Sequence, residues 1–299
     1  MNRLIIGLSM LLIIAACSNP TTVSETIDIT PAPTADLSYT YHVKGASIRQ
    51  MGDRPEEMSQ DFTFHITFQA PSSGIFPADI RFGNIAMETP EDDLYEDIFQ
   101  GALRSLQEDS HAFQLMPSGV FYYEPVLKPN LEESLNFEDP EVYIEAMTDY
   151  MKESFKANLF TEWITYVPDG PINLKSTWTT RSDLSLMGIT EVDRIFKWSV
   201  EEITDSTIQI KGQSVVKSFD FEMNMGPGMS MELTYEGTIT STYRYELDRT
   251  HFLIKNAHIQ LITDGKIKSK GDIPNTEKLD EPLTGEANTF ITRSTLKER

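Results

Sequence analysis

Cysteine is almost absent from this chain. One residue, Cys17, stands in 299, so no intramolecular disulfide can form and stability has to come from burial. Long apolar runs are missing too. The stretch over residues 4–14 is well short of the roughly 20 residues a spanning helix requires. Positive charge is in short supply, with 25 Lys and Arg against 46 Asp and Glu, a formal charge of −21. That balance excludes nucleic acid as a partner and excludes docking flat on anionic lipid through basic patches, because phosphates would be repelled.

Catalytic signatures are equally scarce. The chain has no Gly-x-Ser-x-Gly elbow, no His-Glu-x-x-His pair, no phosphate loop and no dinucleotide fingerprint. Its five histidines, His42, His65, His111, His251 and His258, include no close ligand pair. Acidic bunches such as PEDDLYED, NLEESLNFEDPE and KLDEP lack the alternating Asp/Asn spacing of a calcium loop and read as solvated faces or helix starts. With so many acids, a carboxylate pair suited to glycoside hydrolysis carries no information. The expectation is a protein that is not an enzyme, with no catalytic residues, no cofactor and no metal.

What is present begins at the first residue. MNRLIIGLSMLLIIAACSNP has a basic start at Arg3, an apolar run and small residues before Cys17, the pattern of an export signal over residues 1–16. Ile14-Ala15-Ala16-Cys17 resembles the bacterial lipobox, which makes Cys17 the lipidation site and the membrane a partner through acyl chains. Ser18 stands where an inner-membrane retention signal would carry aspartate, so the outer membrane is the expected location. Residues 17–36, rich in Ser, Thr and Pro, read as a lipid-anchored flexible tether. A single β-rich domain is expected over 37–299, with a hint of two related halves at 37–160 and 161–299.

Alternation dominates the rest. LSYTYHVKGASIRQ and MSQDFTFHITFQ pair as a hairpin, with Phe62, Phe64, Ile66 and Phe68 on one face. ADIRFGNIAMET adds a strand in which Gly83 marks a bulge. Residues 91–107 switch to helical period, with a stripe through Leu94, Ile98, Ala102 and Leu106 and acids at the N-terminal end. QLMPSGVFYY turns at 117–119. Asp139 followed by Pro140 opens a second helix that ends near Asn158, its apolar face being Ile144, Met147, Met151 and Phe155.

Beyond Pro171 only strands follow. Residues 229–248 alternate strictly, which would span on the order of 60 Å at about 3.3 Å per residue, so a bend is expected at Gly237. The fold class is therefore α+β and mostly β: a long curved antiparallel sheet, half-barrel or sandwich-like, with two amphipathic helices in the N-terminal half.

Two clusters bear on function. FEMNMGPGMSMEL places Met223, Met225, Met229 and Met231 around a Gly-Pro-Gly turn, open to three readings: core packing, a pliable ligand-facing flap, or a soft site for Cu(I). Trp178, Trp198, Tyr235 and Tyr243 are candidates to line a cavity, or else to fill a core.

The segments SFKANLFTEWITYVPDGPINLKSTW and EMNMGPGMSMELTYEGTITSTYRYELDRTHFLI, together with the lipobox, resemble a bacterial lipoprotein family known only as a domain of unknown function. The likeness runs through Pro171 to Thr177-Trp178, the methionine hairpin, and the Asp248-Arg249-Thr250 turn. The chain departs from it at Leu174-Lys175-Ser176, where a Val-Gly-Asp-like turn is usual, and at His251, where glycine is usual. The resemblance implies no activity. In architecture the pattern is more distantly similar to lipoprotein-carrier folds, in which a curved sheet closes around a greasy cavity. The reading is a non-enzymatic envelope lipoprotein that binds a lipid, lipopeptide or other amphipathic ligand in a curved-sheet cavity. The alternative is a filled-core interaction protein that binds another envelope protein.

Overall fold

The computed structural model describes residues 26–51, 54–88, 93–124, 140–158, 163–186, 190–226, 229–270 and 279–295. The strands are β1 (Ser38–Met51), β2 (Arg54–Phe68), β3 (Phe76–Glu88), β4 (Ser110–Leu115), β5 (Phe121–Tyr122), β6 (Thr177–Leu186), β7 (Thr190–Ile203), β8 (Thr207–Gly226), β9 (Met229–Asp248), β10 (Ile254–Ser269) and β11 (Asp280–Thr295). Helix α1 (Asp93–Glu108) lies between β3 and β4, and α2 (Pro140–Asn158) lies between β5 and β6.

The strands form one antiparallel sheet in the order β5-β4-β3-β2-β1-β11-β10-β9-β8-β7-β6. It is curved and unclosed. Two meanders thus meet where the first strand pairs with the last, from Tyr39↔Thr295 to Met51↔Leu283. The first meander carries both helices; the second has strands alone among the described residues. Of the two forms the pattern allowed, a single curled sheet is the one adopted.

One face is covered and the other open, because side chains alternate along each strand. On the covered face Phe62, Phe64, Ile66 and Phe68 are all buried, as are Phe196, Trp198, Ile208, Ile210, Tyr243, Tyr245 and Leu247. Helix α1 lays Ile98, Ala102, Leu103 and Leu106 inward. Residues 163–172 cross the covered face as a plug, burying Trp163, Ile164, Tyr166 and Ile172. Gly119, at φ +87°, sits so close to the Tyr166 ring that an added Cβ would stand 2.3 Å from it, and only glycine fits that turn.

Residues 27–32, within the stretch 17–36 expected to be a tether, are part of the fold. Ile27 pairs with Ile172 through two backbone bonds of 2.8 Å, and Ile29 has no exposed surface. Ala32 then bonds to His251 through its backbone N–H, at 2.9 Å. Two isoleucines two residues apart suffice to recruit a Ser/Thr/Pro-rich stretch, since each is worth roughly 1.5–3 kcal/mol when fully buried.

Where β9 and β10 cross the bend, Gly237 faces Gly265. A Cβ at Gly237 would stand 2.3 Å from the Asp264 carbonyl oxygen. β9 carries an extra residue here, since Glu236 and Gly237 stand opposite Ser218 of β8, whose Oγ accepts from the Gly237 N–H at 3.1 Å. A second apolar cluster of Leu233, Tyr235, Ile239, Ile267 and Leu283 straddles this bend. The bulge expected at Gly83 is present: between Phe62↔Ile85 and Phe64↔Phe82, Gly83 and Asn84 of β3 stand opposite Thr63 of β2.

A buried ion pair locks the other strand ends. Arg293 Nη2 reaches Asp248 Oδ2 at 2.5 Å, with 7% and 13% of the two side chains exposed. Asp248 Oδ1 also accepts the N–H groups of Thr250 and His251, at 3.0 and 2.6 Å. The guanidinium lies over the Tyr39 ring, 4.9 Å from its centroid. Burial pushes the Tyr39 hydroxyl up to about 12, with Arg293 opposing and Asp248 reinforcing the shift.

Candidate functional site

The aromatics singled out in the sequence are brought into packed stacks. Trp198, Tyr235 and Tyr243 are 1%, 0% and 3% exposed. Trp198 stacks on Trp178 with centroids 6.2 Å apart, Tyr243 meets Phe196 edge-on at 5.0 Å, and Tyr235 meets Phe219 at 5.4 Å. Their polar atoms are spent within the fold. Trp198 Nε1 donates to Thr180 Oγ1 at 2.8 Å, half-buried Trp178 donates to the Tyr166 carbonyl at 2.9 Å, and Tyr235 donates to the Thr238 carbonyl at 3.1 Å. Tyr235 and Trp198 belong to different apolar clusters, so the four do not share one wall.

Of the methionines, Met231 is half-buried and packs against the second cluster. Met223 pairs with Met231 across the hairpin and Met229 with Gly226. The side chains of Met223, Met225 and Met229, and Cys17 with its lipobox, lie outside the described residues. Among the described residues no group of three or more His, Cys, Asp or Glu is placed to hold a metal ion. No helix among them is long and apolar enough to cross a membrane.

A hollow with the character of a binding site lies elsewhere, in the seam between α2 and the β4–β5 edge of the sheet. It measures about 400 Å³ and is lined by Pro77, His111, Phe113, Tyr122, Tyr123 and Lys156 among others. The sheet narrows here, since β5 pairs with β4 only at Gln114↔Tyr122 and Leu115↔Phe121. Phe113 and Tyr123 meet with ring centroids 4.9 Å apart.

Lys156 is the chemical centre of the seam, with 7% of its surface exposed. A lysine is rarely buried unless paired. Nζ donates to Glu153 Oε1 at 2.6 Å and to the Tyr123 hydroxyl at 3.3 Å, and lies 5.3 Å from the Tyr123 ring centroid. The Tyr123 hydroxyl in turn donates to Glu153 Oε2. Burial works against ionisation of Glu153, yet the bonds from Lys156 and Tyr123 and the field of Lys156 and Lys152 hold its carboxyl below the usual range. Lys156 also sits in the last turn of α2, where the helix dipole favours a cation.

His111 completes the wall. It is 5% exposed, and its Nε2 donates to the Leu106 carbonyl at 2.9 Å, which leaves Nδ1 as an acceptor. Burial pushes its pKa down, the Leu106 bond opposes this, and Lys156 and Lys152 add to the depression. His111 is therefore the neutral member beside two cations. Lys152 anchors to Ser105 of α1 at 3.1 Å.

Two other hollows lie along the sheet, the larger lined by Glu201, Arg244, Glu246, Asn256 and His258 among others. One of about 120 Å³ sits among Gly45, Ser47, Met58, Gln60, Ala287 and Thr289. The other, about 320 Å³, is on the open face, where His258 stacks on exposed Phe290 at 4.5 Å.

With this geometry in place, comparison with known proteins locates the chain. Residues 131–250 match the model of the family of unknown function DUF6263. The DUF6263 match takes in α2 and β6 to β9 and ends on the Asp248-Arg249-Thr250 turn. It thus includes Lys156 and Glu153 but not Tyr123 or His111, which come from the preceding strands. No curated protein matches. Among solved structures, one titled for lipid–protein interactions in lipovitellin is 11% identical, with a TM-score of 0.47, and the match covers 89% of this chain and 26% of that one. The chain thus spans about a quarter of the lipovitellin chain. An outer membrane channel from Pseudomonas putida F1 is 5% identical, TM-score 0.19, over 89% of this chain and 98% of that one. OccK5 (OpdH) of Pseudomonas aeruginosa is 8% identical, TM-score 0.22, over 88% and 100%. Scores this low do not establish a shared fold.

Proposed function

We propose that this chain is a non-enzymatic, lipid-anchored envelope lipoprotein that holds an amphipathic ligand in the seam between α2 and the β4–β5 edge. The carrying observation is the seam hollow: about 400 Å³, with aromatic walls and a buried cation. Ligand pockets typically run from about 300 to 1,000 Å³ and combine apolar walls with a few placed polar groups. The ligand-binding function expected of a sheet cavity is thereby moved to the helix–sheet seam, because the sheet's own aromatics are packed against one another. Cys17 would tether the protein through acyl chains, at the outer membrane by the Ser18 criterion.

The test is native mass spectrometry of residues 18–299 purified without detergent, followed by solvent extraction. A one-to-one adduct of lipid-like mass, lost when Ala112 on the rim of the hollow is replaced by Trp, is the expected result. A clean mass that stays clean after lipid is added would overturn the reading. The filled interior around Trp198 and Tyr243 favours a second one, an interaction protein that binds another envelope protein through its acidic surface. That reading predicts the clean mass and a protein partner in cross-linking.

A further inference from the structure

Resting on that reading of the seam, we infer that its ligand is a single-chain amphiphile with an acidic headgroup, received by Lys156. The first argument is charge balance. Lys152 and Lys156 sit one helical turn apart, both influence Glu153 and His111, and His111 is held neutral. Of the acids here only Glu153 stands inside the seam among the described residues; Glu124 lines the hollow and Asp109 acts on His111, but both are exposed, where water screens them.

The second argument is donor accounting. An ammonium has three N–H donors. Lys156 spends one on Glu153 and one on Tyr123, and the third is available to an acceptor in the hollow. The third argument is the partner's address. Glu153 is three residues earlier on the same helix, so the pair itself stays within α2 and meets the sheet edge through the Tyr123 hydroxyl. A pair serving only to dock the helix would draw its carboxylate from a strand, as Asp248 of β9 does for Arg293 of β11. Here the pair presents a cation to a hollow whose far walls are Phe113, Tyr122 and Pro77. The volume, near the lower end of the range for ligand pockets, fits one alkyl chain and not the two chains of a phospholipid.

The experiment titrates residues 18–299 with dodecanoate, dodecanol and dodecylamine below their micellar concentrations, and with phosphatidylcholine vesicles, by calorimetry. Dodecanoate is expected to bind at least about tenfold tighter than the alcohol or the amine, the worth of one hydrogen bond to a charged group, and the vesicles are expected not to bind. In the Lys156→Met, Glu153→Gln double variant, which leaves no buried charge unpaired, the preference for dodecanoate should vanish while the melting temperature recovers most of what Lys156→Met alone loses. Equal or tighter binding of the alcohol or amine at the seam would overturn the acidic headgroup and leave the seam reading intact. Binding of none of the probes, or binding indifferent to Ala112→Trp, would overturn the seam reading itself.

Discussion

Two buried ion pairs sit in different parts of this molecule, and their surroundings give them different work. Arg293 and Asp248 join strands far apart in sequence. The carboxylate caps a turn with its second oxygen and the guanidinium is roofed by Tyr39, so the pair is enclosed by protein. Lys156 and Glu153 join neighbours on one helix and open on a hollow. The first arrangement specifies where the strand ends meet. The second keeps its two charges on one helix and meets the sheet edge through Tyr123. Burial alone would not have separated them; what each partner does with its remaining donors and acceptors does.

The sharpest way to break this comparison is at the lock. Arg293→Met should cost about 3–5 kcal/mol, because Asp248 would be left buried without its cation, read as a lowered urea midpoint. Adding Asp248→Ala should not restore stability, since the Thr250 and His251 N–H groups lose their acceptor as well. At the seam, Lys156→Met alone should cost less, about 2 kcal/mol, because Glu153 keeps its bond from Tyr123. Adding Glu153→Gln should return most of that loss. Equal costs at both places, or equal recovery in both double variants, would erase the distinction.

The smallest effect expected is a pH dependence that belongs to the seam alone. The folded state lowers the pKa of His111, so the unfolded chain takes up the proton first. The resulting stability is present above about pH 6.5, the ordinary histidine value, and is lost as pH falls below it. His111→Gln should flatten the melting temperature between pH 7 and pH 5 relative to the parent. A parent profile already flat there would show that His111 titrates as freely in the fold as in the unfolded chain.

Much of the architecture is legible in the residues. Asp139-Pro140 marks the start of α2, and the alternation over 229–248 predicts both the long strand and its buried face, from Leu233 to Leu247. β11 is harder to read. Its inward positions include Gly285, Ala287 and Thr289, small residues that dilute the alternation, and its importance comes from pairing with β1, which no local pattern reveals. On α2 the predicted apolar stripe is only partly real. Ile144 is 39% exposed, while Met147, Met151 and Phe155 are half-buried. Lys156, next to Phe155, is the residue that goes under. A lysine four residues after another at the edge of an apolar stripe was the available signal, but it looks the same as a solvated face until Tyr123 and His111 arrive from strands elsewhere in the chain. Trp198 and Tyr243 are packed in the same cluster as residues 163–172, which no local pattern near the aromatics announces, and Tyr235 lies in the other cluster.

The pairing of β1 with β11 also bears on how the fold is reached. Tyr39 finds its partner in Thr295, so the first strand to leave the ribosome waits for nearly the last. Contacts this distant in sequence slow folding, because the entropy of closing the loop is lost before any bond repays it. Until then each meander has an unsatisfied edge at the centre of the future sheet. A chain whose central seam waits for β11 stays open for as long as the strands between are being synthesised.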